Sequence, residues 1–78
     1  MKLSVELEKS QHPEVAICFD REGIDLLIRK LEKLRDTPGH THLMTPSWAG
    51  DDLTEVVVGG EKYELVHSLR LVRMKDSE

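Results

Sequence analysis

Two histidines, placed two residues apart, are the clearest candidates for chemistry in this sequence. His40 and His42 flank Thr41 in a stretch with the length and β-branched content of a strand, where alternate side chains point the same way. Two imidazoles on one side of a strand can chelate zinc, but a zinc site needs three or four ligands. The pair by itself therefore predicts only part of a metal site.

A third metal ligand would have to come from His67 or from the acidic residues Asp51 and Asp52. If Leu43 faces the helix, the histidine pair points to the opposite face of the sheet, whereas His67 points inward with its leucine neighbours. The acidic loop would have to fold back to reach the pair. We therefore keep a metal-binding protein or metal-dependent enzyme as the alternative function, and we expect no native metal or other cofactor.

Trp48 is the only tryptophan, and it lies in a turn-rich stretch between Pro46 and Gly50 that continues into Asp51 and Asp52. One interpretation is that its ring plugs the end of a small core. The other is that it anchors a partner, because tryptophan supplies a large apolar area at interfaces and an acidic rim favours a basic partner. The sequence leaves both interpretations open.

The sequence gives little support to catalysis. Cys18 lies in a predicted strand with no histidine nearby in the sequence, and Ser47 lacks the surroundings of a nucleophile elbow. Gly59 and Gly60 are followed by Glu61, whose charge is wrong for a phosphate-binding loop. We therefore predict that the protein is not an enzyme.

Length, charge and composition limit the number of domains, the classes of partner and the cellular compartment of the protein. Its 78 residues predict one domain over residues 1–78, with a frayed tail at 75–78. The formal net charge of −4 argues against nucleic acid and anionic membranes as partners. A single cysteine, no apolar leader and no apolar run of membrane-spanning length predict a soluble, cytoplasmic protein.

The spacing of apolar residues predicts the strands and the helix that position these side chains. Alternation predicts strands over residues 2–8 and 15–19, with Val15, Ile17 and Phe19 on the core side of the second. Asp20 is placed to cap a helix over residues 21–35. The apolar stripe of this helix contains Ile24, Leu27, Ile28, Leu31 and Leu34, and Leu26 points almost opposite to it.

The second half of the chain predicts strands over residues 40–45, 53–58 and 63–74. The expected fold is α+β, in the order β-β-α-β-(β)-β, with a mostly antiparallel sheet of four to five strands and one helix on one face. The other face would be open. A further alternative function is therefore a structural module that associates with itself through this face or through an edge strand.

The segment from His40 to Leu53 resembles the signature of immunity protein family thirty-two of bacterial polymorphic toxin systems. The flanking order is similar too, with an early Val-Glu-Leu strand, an entry into the helix through Phe19, Asp20 and Gly23, and a late run from Glu64 to Leu69. The resemblance implies a small cytosolic protein that binds and blocks a toxin domain and so protects the producing cell or its kin.

The leading hypothesis is therefore a non-catalytic immunity protein that neutralises a cognate toxin domain, for which a basic nuclease is one candidate. The expected contact surface is the segment from His40 to Asp52, with Trp48 as apolar anchor and His40 and His42 as hydrogen-bonding groups. Asp51 and Asp52 would face basic residues of the toxin. The oligomeric state is left open between a monomer and a weak dimer.

Overall fold

A computed structural model describes residues 1–76, so the predicted frayed tail lies partly outside the described residues. Its elements, in chain order, are β1 (Leu3–Glu8), β2 (Val15–Phe19), α1 (Arg21–Asp36), β3 (Gly39–Met44), a short 3-10 helix (Pro46–Trp48), β4 (Tyr63–Val66) and β5 (Ser68–Arg73). The predicted α+β class is confirmed, since residues 1–76 contain one α-helix and five strands in antiparallel sheets. Within residues 1–76, no helix has both the length and the apolar composition to cross a membrane.

The five strands are divided between two antiparallel sheets. One sheet has the order β2-β1-β4, with Val5 opposite both Ile17 and Val66. The other sheet pairs β3 with β5 and places Leu43 opposite Leu69. The predicted long strand over residues 63–74 bends at His67, so its first half joins one sheet and its second half joins the other.

The prediction of a strand over residues 53–58 was wrong. Leu53 is buried in the core, and Thr54 is bound to Leu3, whose carbonyl accepts hydrogen bonds from the Thr54 N–H at 2.7 Å and from its hydroxyl at 3.0 Å. After Thr54 the segment lies outside both sheets, and the side chains of Val56 to Val58 are exposed. A valine run has high strand propensity, but without a neighbouring strand to pair with it forms an anchored loop.

The core sits where the two sheets meet the helix. Its fully buried apolar members are Leu3, Val5, Leu43 and Leu53. The half-buried side chains packed around them come from α1, β4 and β5: Leu26, Leu27, Val66, Leu69 and Leu71. The segments that carry the candidate site, β3 and the loop after it, are thus attached to this core by Leu43 and Leu53.

The helix begins as predicted, because Asp20 accepts a hydrogen bond from the Gly23 N–H at 2.9 Å. Its predicted apolar stripe was partly wrong: Leu26 packs on the core, whereas Ile28 and Leu31 are exposed. The buried side centres on Gly23, where an added Cβ would lie 1.9 Å from the Lys2 carbonyl oxygen. At about 100° per residue, a helix that approaches this closely at Gly23 turns residues 26 and 27 inward and residue 28 outward.

The predicted core side of β2 was also wrong, since Val15, Ile17 and Phe19 are all exposed. The helix contacts β5 and β3 as well as β2, so it extends over the second sheet instead of lying along the length of β2. The apolar side of β2 is left facing outward as a consequence.

Replacing Asp20 with alanine is expected to lower the free energy of unfolding, because the cap of α1 is lost. Hydrogen bonds to the carboxylate, from the backbone of Lys2 and of Gly23, hold the pKa of Asp20 below its ordinary value. The stabilisation is therefore present at neutral pH and fades as the pH falls through this lowered pKa. Urea unfolding at several pH values measures it. Asp25→Ala, in the exposed middle of the same helix, is the control, and an equal loss in both variants would contradict the capping role.

Candidate partner-binding site

His40 and His42 lie side by side on the outer side of β3. Leu43 is buried on the inner side, and the strand's alternation directs both histidines outward, where both are exposed. Their ring centroids are 5.2 Å apart, with the planes at 85° in an edge-to-face contact. On β5, Val72 stands opposite His40 and Arg70 opposite His42. The pair thus exposes two imidazoles beside a cation and an apolar side chain.

Within the described part of the chain, the structure does not bring a third metal ligand to this pair. Among residues 1–76, no three side chains of histidine, cysteine, aspartate or glutamate are grouped so that they could hold an ion. The His67 side chain forms a hydrogen bond with Thr45 and does not join the histidine pair. The metal-site alternative therefore depends on two imidazoles alone.

Trp48 is presented on the surface by a tight turn. The 3-10 helix starts at Pro46, the Trp48 N–H donates to the Thr45 carbonyl at 2.9 Å, and Ala49 closes the turn in the left-handed region with φ of 66°. The Trp48 side chain remains 56% exposed. Its ring stacks on that of His67, with centroids 6.0 Å apart and planes only 4° from parallel. One face of the indole is supported while much of the ring stays in solvent.

His67 is held in place beneath the indole by Thr45, which is fully buried. Thr45 Oγ1 and His67 Nδ1 are hydrogen-bonded at 2.8 Å, and the Thr45 N–H donates to the His67 carbonyl at 3.0 Å. His67 itself is half-buried at the edge of the core. Because side chain and backbone are both held, the imidazole forms a fixed platform for Trp48.

Glu55 adds an acid to this cluster that the sequence analysis did not identify. Its carboxylate accepts a hydrogen bond from the Ser47 N–H. Hydrogen bonds from the Ser47 side chain and backbone hold the pKa of Glu55 below its ordinary value of 4.5, and the nearby His67 favours the same direction. The loop thus carries a charged carboxylate beside Trp48 at neutral pH.

Ser47→Ala is expected to raise the pKa of Glu55 toward its ordinary value, because the hydrogen bond from the Ser47 side chain, the largest contribution to the lowered pKa, is removed. A carboxyl NMR titration of both proteins measures the change. Ser10→Ala, in the loop between β1 and β2, serves as the control. An unchanged Glu55 titration in Ser47→Ala would contradict this contact.

The two predicted aspartates have different surroundings. Asp51 is exposed, whereas Asp52 is half-buried with an oxygen 3.9 Å from Lys30 Nζ on the helix. Asp52 is thus engaged within the chain, and Asp51 is the acid of the pair that faces solvent.

Gly50 is what allows the loop to double back between Trp48 and these acids. Its N–H donates to the Thr45 carbonyl at 3.0 Å. A Cβ at this position would lie 2.4 Å from the Met44 carbonyl oxygen, so only glycine fits against the end of β3. Leu53 then donates to the same Met44 carbonyl at 3.2 Å, which brings the whole acidic turn close to β3.

A cleft of about 310 Å³ lies next to His40, between the C-terminal end of α1 and the start of β3. Its lining residues are Lys30, Lys33, Leu34, Thr37, Pro38, Gly39, His40 and Thr41. The cleft is basic, in contrast with the loop that carries Asp51 and Glu55. The surface around His40 therefore has charges of both signs.

Glu6 is a further acid that the sequence did not single out, although it lies in the predicted first strand. It is fully buried, and its carboxylate accepts hydrogen bonds from the N–H groups of Val58 and Gly59, both at 2.9 Å, and from the Ser4 hydroxyl at 2.7 Å. The long loop after the 3-10 helix is thereby held against β1. The predicted open face is partly covered by this loop.

Comparison with family models matches the chain to the family described as Immunity protein 32, over residues 14–67. The matched range is more than two thirds of the chain and includes β2, the helix, the histidine pair, Trp48 and His67. No curated protein and no solved structure matches the chain in the two other comparisons. On the strength of the family match, the chain belongs to the Immunity protein 32 family.

Proposed function

We propose that this protein is a non-catalytic immunity protein that binds a cognate toxin domain and neutralises it. The observation that carries the proposal is the exposed Trp48, stacked on a fixed His67 inside the segment that the family match covers. An indole held rigid in solvent loses little conformational entropy when a partner covers it. Such a side chain is typical of an interface anchor.

The surroundings of Trp48 support the same proposal. His40 and His42 stand exposed on β3 and can donate or accept hydrogen bonds, and Asp51 and Glu55 place negative charge on the loop. Polar groups around one large apolar anchor form the usual arrangement of a protein interface, in which the rim excludes water from the centre. We therefore assign toxin contact to the segment from His40 to Glu55, with Asp52 supporting the loop through Lys30.

Charge favours a basic partner. The chain carries a formal net charge of −4, and the loop with Trp48 contributes exposed acids to it. Opposite charge accelerates encounter and suppresses wrong partners. A nuclease toxin fits best, because a site that binds phosphate groups is basic and an acidic protein is drawn to it.

The test is protection and binding with the cognate toxin domain. The toxin domain is expressed alone and with the chain in a susceptible bacterium, and growth is followed. The purified pair is then measured by isothermal titration calorimetry. Protection together with a one-to-one complex is expected. A chain that neither protects nor binds, although folded, would contradict the proposal.

Removal of metal is expected to leave toxin binding and the thermal unfolding midpoint unchanged, because the histidine pair lacks a third ligand among residues 1–76. The measurement compares protein dialysed against EDTA with protein supplied with zinc. His42→Ala is the matched variant. Stoichiometric zinc that survives purification and disappears in His42→Ala would instead favour the metal-binding alternative.

A further inference from the structure

The free edge of β2 is a second surface with a definite geometry. β2 is the end strand in the order β2-β1-β4, so it pairs on one side only within the described chain. At the ends of the pair, the Glu8 N–H donates to the Glu14 carbonyl at 2.9 Å and the Asp20 N–H donates to the Lys2 carbonyl at 3.1 Å. Backbone direction alternates along an antiparallel strand. In β2, the backbone N–H and C=O groups of the even-numbered residues therefore point to β1. Those of the odd-numbered residues point to the free edge.

Those odd-numbered residues are Val15, Ile17 and Phe19, and they present side chains as well as backbone groups. Their side chains are 61%, 38% and 48% exposed, on one face of the strand. Natural edge strands usually carry lysine, proline or a bulge that discourages pairing with another chain. Residues 15–19 contain no charged residue and no proline. This edge is open to a further strand.

We propose that β2 pairs with β2 of a second copy of this chain, antiparallel and across a two-fold axis at Ile17. In this register Ile17 stands opposite the partner's Ile17, and Val15 opposite the partner's Phe19. The three outward N–H and three outward C=O groups of each strand then all find partners. The exposed side chains form one row on the shared face, so the edge is complementary to itself.

The size of the surface predicts a weak dimer. Three partly exposed side chains and one strand edge cover less than the roughly 800 Å² per partner of a standard interface. We therefore expect association at tens of micromolar and above, on the order of a transient complex. Because each chain carries a formal charge of −4, added salt screens the repulsion and strengthens the dimer.

Sedimentation velocity over about 1 µM to 1 mM tests the proposal, at a concentration range set by the expected weak affinity. The mass should rise from 8.9 kDa toward twice that value, and more steeply at higher salt. Ile17→Lys puts a charge on the two-fold axis and should stay monomeric. Ile28→Lys, which changes an exposed isoleucine of α1, should dimerise like the original chain.

A cross-link tests the register without depending on that substitution. In a Cys18→Ser background, Ile17→Cys should form an intermolecular disulfide, whereas Ile28→Cys should not. A chain that remains monomeric at all concentrations overturns the proposal, as does a dimer that cross-links equally at both positions. If the backbone amides at the β2 edge are protected from hydrogen exchange only in a toxin complex, the edge contacts the toxin and not a second copy of the chain. These outcomes are independent of whether the toxin is neutralised.

Discussion

Glu6→Ala is expected to lower the free energy of unfolding by about 3 kcal/mol, because three hydrogen bonds to a buried carboxylate are lost. The N–H groups of Val58 and Gly59 and the hydroxyl of Ser4 would be left near an empty space. A chain of this size has only about 5 kcal/mol or slightly more to lose. Urea unfolding followed by circular dichroism measures the change. Glu64→Ala, at an exposed position on β4, is the control and should cost little.

The same contacts predict how the effect depends on pH. Burial alone would raise the pKa of Glu6, but the hydrogen bonds from Val58, Ser4 and Gly59 outweigh it and hold the pKa below its ordinary value of 4.5. The stabilisation is therefore complete above the pKa of the unfolded chain and is lost as the pH falls through the lowered pKa of the folded chain. The difference between the original chain and Glu6→Ala should be constant near neutral pH and shrink in acid. A difference that grows in acid would contradict a charged Glu6.

Trp48→Ala is expected to weaken toxin binding by more than about 2 kcal/mol, or roughly 30-fold in Kd, and to leave the fold intact. The indole is more than half exposed and rests on His67, so its removal takes away contact area for a partner and few contacts with the core. Calorimetry with the toxin domain measures the affinity, and circular dichroism checks the fold. Ile28→Ala, which truncates another exposed apolar side chain, should leave affinity unchanged.

Two results would contradict this role of Trp48. Loss of folding in Trp48→Ala would make the ring a core residue. Unchanged affinity in a folded Trp48→Ala protein would move the toxin contact away from this turn. His67→Phe adds a further comparison, because it keeps an aromatic platform but removes the hydrogen bond to Thr45. Weaker toxin binding by the His67→Phe protein, in which Trp48 is still present, would show that the fixed position of the indole contributes to affinity.

The parts of the fold that depend on near neighbours were predictable. Alternation located β1 and β2, and the carboxylate of Asp20 followed by helical spacing located α1 and its first turn. The common direction of His40 and His42 followed from the same period of two. Each of these features is determined within a few residues, where backbone geometry leaves few alternatives.

The features that were missed depend on contacts between distant segments. Glu6 looks like a solvent-facing residue of an amphipathic strand, and only the arrival of residues 58 and 59 buries it. The rotation of the helix depends on the close approach of Gly23 to Lys2 across the strand pair. The support of Trp48 by His67 joins residues 19 positions apart through the pairing of Thr45. No local period carries this information.

The bend at His67 has a consequence for where this protein can be cut. The family match ends at residue 67, but the next residue begins β5, which is the strand that pairs with β3. A fragment trimmed to the matched range would therefore strip β3 of its hydrogen-bonding neighbour and uncover Leu43. β4 and β5 follow each other directly in the chain, so they connect the sheet that contains β1 to the sheet that carries the histidine pair. The shortest fragment that keeps both sheets intact is thus longer than the matched range.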